Sequence, residues 1–247
     1  MSKSNKPKNR KKYSLNNPDN QDYLSLRDEL HKALKQEEFI VEIPVTDDEH
    51  IEIKENNDNS KLKKVFINEL HDHDDKESKV TRIWKIDLEK DFTGISTSSK
   101  TPECAILVLQ KYESSYKLNI LLIELKSFVD KNKSEEIEEK FCCAMTRLYM
   151  LLVLNNHLNP IQNYNKATIY IDFQGILFYK DKDNKFNSSA DNNKDKKTLY
   201  SILQNSDKSE ILTYKTILRK EDKIKVKCFK ASDKEVFNIS LQTLLSK

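Results

Sequence analysis

Residues 103–127 read ECAILVLQKYESSYKLNILLIELKS, and this stretch decides the fold. Two apolar runs, ECAILVLQ and LNILLIEL, flank a short polar connector, ESSYK, which is the pattern of a β-hairpin. Both runs are apolar at successive positions, so both faces of each strand should be covered. The sequence therefore predicts two central strands in a sheet that is buried on both sides.

The second run ends with two charged residues one position apart, Glu124 and Lys126. Side chains i and i+2 of a strand point to the same side, so these two project together while Leu125 points the other way. In a hairpin the first strand begins near the end of the second, which predicts that Glu103 lies about 5 Å from Glu124 across the ladder. Two carboxylates that close repel each other unless a proton or a cation lies between them.

A hard divalent cation, Mg²⁺ or Mn²⁺, suits this set of residues. Its ligands would be the carboxylates of Glu103 and Glu124, the backbone carbonyl of Leu125, and water. The ammonium of Lys126 would stabilise the negative charge that develops when a phosphodiester is cleaved. The chain has only two glycines, so a Gly-rich phosphate loop is not expected.

The pattern of the chain around this hairpin predicts an α/β fold. Apolar positions that recur every 3.6 residues predict helices, and apolar positions that alternate every two residues predict strands. Before the hairpin, the predicted elements are an amphipathic helix at 21–39, a pair of short strands within 39–59, a second short helix near 61–70 and a strand within 80–92. After the hairpin, they are a buried helix at 134–158 that Ser134 caps, and one long strand or two strands bent at Gly175 within 167–179. The last elements are a short helix near 199–203, a strand at 223–230 and an apolar stretch at 236–245.

Four segments are predicted from composition. They are a disordered basic tail at 1–20, an α/β core at 21–180, a charged flexible loop at 181–197, and a C-terminal extension of the same domain at 198–247. The tail is either a solvated segment or a flexible arm that contacts phosphates without sequence preference. Its charges are Lys3, Lys6, Lys8, Arg10, Lys11 and Lys12.

Overall composition excludes some classes of protein. The net charge of +3 does not by itself indicate a nucleic-acid partner. None of the four cysteines forms a CxxC pair, so a zinc ribbon is not expected. The use of cysteine instead predicts a reducing, cytoplasmic setting. The N-terminus lacks the apolar segment of a secretory signal, so none is expected. The sequence also lacks a run of about 18 apolar residues, so a membrane span is not expected.

Pro102-Glu103, a gap of twenty residues, and Glu124-Leu125-Lys126 resemble the motif of the PD-(D/E)xK nuclease superfamily. The predicted order of helix, three strands, helix and strand is similar to the core of that superfamily. The resemblance implies a mixed central sheet flanked by helices, a restriction-endonuclease-like core with a C-terminal extension. It also implies that Glu103 and Glu124 are Mg²⁺ or Mn²⁺ ligands and that Lys126 is the catalytic lysine.

The sequence departs from the superfamily's pattern in two places. The first acid is usually aspartate, and Glu103 is longer by one carbon–carbon bond. The additional acid of the first helix is assigned to Glu29, with Glu37, Glu38 and Glu69 as alternatives. An ExK triplet is also not specific in itself, because residues 52–54 read EIK as well.

The expected function is therefore a metal-dependent nuclease that hydrolyses phosphodiester bonds in nucleic acid, with DNA favoured over RNA as the substrate. Cutting of two strands would require two active sites, which predicts a homodimer. One alternative is a catalytically inactive module on the same fold that binds nucleic acid or a protein partner. A second is an unrelated assembly protein in which Glu103 lies apart from Glu124 and Lys126.

Overall fold

A computed structural model describes most of the chain beyond the first segment. The described residues are 40–55, 60–71, 78–89, 101–113, 115–154, 168–180, 198–204, 209–214, 221–231 and 235–246. The segments predicted as a basic tail, as a helix at 21–39 with Glu29, Glu37 and Glu38, and as a charged loop at 181–197 lie outside them. The predicted domain boundaries therefore stay predictions.

The described residues form ten strands and three helices. The strands are β1 (Ile40–Ile43), β2 (Ile51–Lys54), β3 (Lys64–Asn68), β4 (Ser78–Asp87), β5 (Cys104–Tyr112), β6 (Ser115–Lys126), β7 (Thr168–Tyr179), β8 (Ser209–Tyr214), β9 (Asp222–Lys230) and β10 (Val236–Ser240). The helices are α1 (Lys131–Leu154), α2 (Leu199–Gln204) and α3 (Leu241–Leu245).

A seven-stranded mixed sheet, in the order β1-β4-β5-β6-β7-β9-β8, is the centre of the fold. Strands β4, β5 and β6 form an antiparallel meander, whereas β7 lies parallel to β6 and β9 lies parallel to β7. A second sheet has the order β10-β3-β2. The mixed α/β class and the predicted hairpin are confirmed, and β6 is the middle strand of the large sheet.

Strands β5 and β6 are buried on both faces, as their continuous apolar runs predict. Residues of one face, including Leu107 and Leu122, pack with Phe141 of α1. Residues of the opposite face, including Ile106 and Ile123, pack with the small sheet. Among the described elements, helices alone, α1 and α2, cover one face of the large sheet, and the small sheet together with the short helix α3 covers the other.

The prediction of a helix near 61–70 was wrong, because this segment contains β3. Val65 and Ile67 are buried while their neighbours are partly exposed, which is the two-residue period of a strand. The prediction of a strand pair within 39–59 was half correct. Strands β1 and β2 both form, but β1 pairs with β4 and β2 pairs with β3, so they belong to different sheets.

Helix α1 begins three residues before its predicted start. The Oδ1 atom of Asp130 accepts the backbone N–H of Lys133 at 2.8 Å, so Asp130 rather than Ser134 caps the helix. The described helix ends at Leu154, and the predicted continuation to 158 lies outside the described residues. Its predicted inner face is buried at Ile137, Phe141, Met145 and Leu148.

Strand β7 is continuous through Gly175, which settles the choice between one strand and two. A Cβ atom at this position would lie 2.8 Å from a ring carbon of Phe141, closer than carbon atoms pack. The glycine therefore makes room for the aromatic ring and lets α1 pack closely on the sheet.

We expect Gly175→Ala to lower the free energy of unfolding by about 1–3 kcal/mol, because the added methyl group overpacks the interface between α1 and β7. Urea denaturation measures the change. In a Phe141→Leu background the same substitution should have a smaller effect, because the smaller side chain leaves room for the methyl group. Equal losses in both backgrounds would contradict this account of the glycine.

A buried lysine joins β9 to α3. The Nζ atom of Lys227 donates hydrogen bonds to the carbonyl oxygens of Leu244 and Ser246, each at 2.5 Å. Burial, followed by the positive charge of Lys225, lowers the pKa of Lys227 to about 8. The unfolded chain therefore binds more protons at this residue than the folded chain does, between pH 8 and the ordinary lysine pKa of 10.5.

This difference predicts a pH dependence of stability. Between about pH 8 and pH 10.5, deprotonation of Lys227 makes the folded state progressively more stable. The free energy of unfolding of wild type, minus that of Lys227→Met, should therefore rise with pH in this window. Urea titrations at several pH values measure it, with Lys223→Met, an exposed lysine of the same strand, as the control. A flat difference would refute the prediction.

Candidate functional site

The register of the hairpin places Glu103 next to Glu124. The last pair of the β5–β6 ladder is Cys104 with Ile123, and Glu103 precedes the first of these while Glu124 follows the second. Strand alternation then puts Glu103, Glu124 and Lys126 on the face of the sheet that α1 covers. The hairpin therefore brings both acids and the lysine to one end of one face.

Short contacts hold this cluster together. The Oε2 atom of Glu103 accepts the backbone N–H of Leu125 at 2.9 Å. The Nζ atom of Lys126 lies 2.7 Å from Oε1 of Glu124 and 3.9 Å from Oε1 of Glu103. The alternative in which Glu103 lies apart from Glu124 and Lys126 is therefore not the arrangement of this chain.

A second lysine, which the sequence analysis missed, completes the cluster. The Nζ atom of Lys140, on α1, lies 2.7 Å from the same Oε1 atom of Glu124. Lys140 is three residues after Ile137 and four before Ala144, both buried, so it occupies a position in the apolar stripe of the helix. A charged residue in that stripe was a signal in the sequence, but the strands alone do not reveal its partner.

Burial governs the electrostatics of the cluster. Glu124 is fully buried and Glu103 is 7% exposed. Burial, followed by the negative charge of Glu124, raises the pKa of the Glu103 carboxyl well above its usual range, although Lys126 and Lys140 act in the opposite direction. Burial disfavours the charged form of Lys126, but Glu124 and then Glu103 outweigh it, so the pKa of Lys126 is raised.

Two cavities adjoin the cluster. One, of about 290 Å³, is lined by Lys126 together with Ser127, Phe128, Lys133 and Glu136. The other, of about 220 Å³, is lined by Glu103 and by residues of β2 and β4. The cluster is therefore reached from the side of Lys126 and from the side of Glu103.

Of the acids predicted for the first helix, Glu69 is described and is not part of this cluster, whereas Glu29 lies outside the described residues. Glu69 is exposed and follows β3 of the small sheet, in a left-handed conformation with φ of 55°. The second ExK triplet forms β2, where Glu52 pairs with Lys54 and Lys64 at 2.9 Å each. The structure thus separates the two ExK triplets, because only Glu124 is buried against a helix.

The donors at the hairpin end suit a hard divalent cation that keeps several waters. The Oε2 atom of Glu124 is buried and has no hydrogen-bond partner in the described part of the chain, so it is an acceptor that a cation would satisfy. The carbonyl of Leu125 points to the same side of β6 as its N–H, toward Glu103. No group of three or more His, Cys, Asp or Glu residues is placed for a metal within the described ranges, so the protein would supply two carboxylates and a carbonyl.

Comparisons with known proteins do not assign the chain to a family. No family model, no curated protein and no solved structure matches the chain. In the described part of the sequence, no helix has both the length and the apolar character that crossing a bilayer requires.

We expect Glu103→Gln to fold with nearly unchanged stability, because an amide oxygen still accepts the N–H of Leu125 and the repulsion from Glu124 is removed. Glu103→Ala leaves that buried N–H without a partner and should lower the free energy of unfolding by about 1–3 kcal/mol. Urea denaturation of both variants measures the difference, with Glu135→Ala, an exposed acid of α1, as the control. Equal stability of the Gln and Ala variants would refute the role of the Glu103–Leu125 hydrogen bond.

Proposed function

We propose that this chain is a metal-dependent nuclease that hydrolyses phosphodiester bonds in nucleic acid, with DNA as the substrate. The observation that carries the proposal is the meeting of Glu103, Glu124 and Lys126 at one end of the hairpin, beside a cavity of about 290 Å³. Two acids and a lysine at a site that a substrate can reach are the residue types that metal-assisted phosphodiester hydrolysis needs.

The order of elements supports the same proposal. The meander β4-β5-β6 is followed by α1, and β7 then lies parallel to β6, its neighbour in the sheet. This is the order of three strands, helix and strand that the resemblance to the PD-(D/E)xK superfamily implies. A restriction-endonuclease-like core is therefore part of the proposal, with β8 and β9 extending the sheet beyond β7.

Each residue of the cluster has a distinct role in this proposal. The carboxylates of Glu103 and Glu124, with the carbonyl of Leu125, would hold Mg²⁺ or Mn²⁺, which supplies charge neutralisation and an activated water. Lys126 lines the larger cavity, where its ammonium would donate a hydrogen bond to a phosphate oxygen of the substrate. The burial of both acids strengthens these interactions, because water screens them little.

We expect Glu124→Gln and Lys126→Met each to reduce Mg²⁺-dependent cleavage of DNA by about 10²–10³-fold, the usual loss when one charge-stabilising group is removed. Both variants keep the volume of the side chain. The matched controls are Glu221→Gln and Lys223→Met, the same changes at exposed residues where β9 begins, which should leave cleavage unchanged. Circular dichroism confirms that each variant is folded.

Wild-type protein that cleaves neither DNA nor RNA, with Mg²⁺ or with Mn²⁺, would contradict the proposal. Cleavage of RNA without cleavage of DNA would contradict the choice of substrate alone. Sedimentation of the protein in the presence of duplex DNA tests the homodimer, which stays a prediction.

One observation favours the alternative of an inactive module that binds nucleic acid or a protein partner. Two carboxylates and two ammonium groups meet in the cluster, and both lysines contact Glu124, so the charges can balance without a metal. Titration calorimetry with Mn²⁺ separates the two functions. Binding heat that is lost in Glu103→Gln and Glu124→Gln supports the nuclease, and the absence of such heat in wild type supports the module.

A further inference from the structure

A lysine that is bound to a buried carboxylate is not free to act on a substrate. Lys126 lies 2.7 Å from Oε1 of Glu124, and Glu124 is fully buried. If Lys126 were its sole partner, a movement toward a phosphate would leave a buried negative charge without compensation, which is strongly unfavourable. The proposed nuclease therefore needs a second group that holds Glu124 while Lys126 is engaged.

Lys140 is placed to be that group. Its Nζ atom lies 2.7 Å from the same oxygen, Oε1 of Glu124, and its side chain is 13% exposed. It comes from α1, whereas Lys126 comes from β6, so the two ammonium groups approach the oxygen from different layers of the fold.

The surroundings of the two lysines differ in a way that assigns their roles. Lys126 lies at the end of its strand, its side chain is 21% exposed, and it lines the cavity of about 290 Å³. Lys140 immediately precedes Phe141, whose ring is fixed against Gly175 of β7. One lysine therefore faces space for a ligand, and the other extends from a helix position next to a closely packed residue.

We propose that Lys140 is a positioning residue that holds Oε1 of Glu124 when Lys126 turns into the cavity to meet a phosphate oxygen. With Oε1 held in this way, Oε2 of Glu124, which is buried and has no hydrogen-bond partner among the described residues, would remain available to the proposed cation. The part of this inference that concerns a substrate phosphate rests on the proposed nuclease function. The movement of Lys126 away from Glu124 while Lys140 stays in contact with it does not rest on that function, since it needs neither metal nor substrate.

The accessibility of Lys126 tests the inference without cleavage. Formaldehyde and cyanoborohydride methylate a free lysine amine without removing its charge, and mass spectrometry of a digest measures the rate at Lys126. In Lys140→Met, Lys126 becomes the remaining cation on Glu124 and should be methylated about tenfold more slowly than in wild type. Lys140→Arg keeps the charge on Glu124 and should restore the rate.

The control for charge alone is Lys133→Met. Lys133 is on the same helix, its ammonium lies 5.3 Å from the centre of the Phe128 ring, and it lines the same cavity as Lys126. Its loss should leave the methylation rate of Lys126 within about twofold of wild type. An unchanged rate in Lys140→Met, or an equal decrease in Lys133→Met, would overturn the role of Lys140.

A second variant decides the question if Lys140→Met does not fold. In Glu124→Gln with Lys140→Met, the carboxylate and its second cation are both absent, so no buried charge is left unpaired between them. Recovery of folding in this double variant, measured by circular dichroism, would support the contact that the proposal requires. Failure of the double variant to fold, while Glu124→Gln folds, would overturn it.

Kinetics separate this inference from the proposed function. If wild type cleaves DNA, Lys140→Met should lower kcat while the affinity for Mn²⁺, measured by calorimetry, is retained. If wild type does not cleave and the methylation rates change as expected, the nuclease function fails and the movement of Lys126 stands. If cleavage is present and Lys140→Met changes neither kcat nor the methylation rate, the role of Lys140 fails and the nuclease function stands.

Discussion

The close packing of α1 on the central strands is the constraint on which this structure depends. The ring of Phe141 fills the space that the missing side chain of Gly175 leaves, so the helix lies near β6 and β7. Because Lys140 is the preceding residue, the same contact brings its ammonium to the carboxylate of Glu124. A packing interaction between two apolar surfaces thus sets the electrostatics of the cluster beside it.

The burial of Glu124 is tolerated because cations surround it. An unpaired carboxylate in a protein interior is strongly disfavoured, and here Lys126 and Lys140 both contact one oxygen of the group. Burial and the negative charge of Glu124 raise the pKa of the neighbouring Glu103 carboxyl, so the ionised form of Glu103 is disfavoured unless a metal cation is bound. The internal ion pairs of the cluster therefore compete with the cation binding that we propose.

Local pattern predicted the centre of the chain well and the N-terminal part less well. The hairpin, β4, α1 and β7 were confirmed, because long apolar runs and a helical stripe are strong signals. The segment of β3 was misread as a helix, because five residues are too few to separate a two-residue period from a helical one. Strands β1 and β2 were expected to pair with each other, but their partners are distant in sequence, and short-range pattern contains no information about them.

The sequence by itself determined that Glu124 and Lys126 share a side of one strand and that Glu103 begins its partner. Both follow from strand alternation and from a short hairpin connector, which are local properties of the chain. Glu103 already favoured this ExK triplet over the one at residues 52–54, and the tertiary structure added that Glu124 contacts a helix whereas Glu52 pairs with lysines of the small sheet. Only the tertiary structure revealed Lys140 as a partner of Glu124, because the distance between a helix and a sheet is set by side chains from both layers.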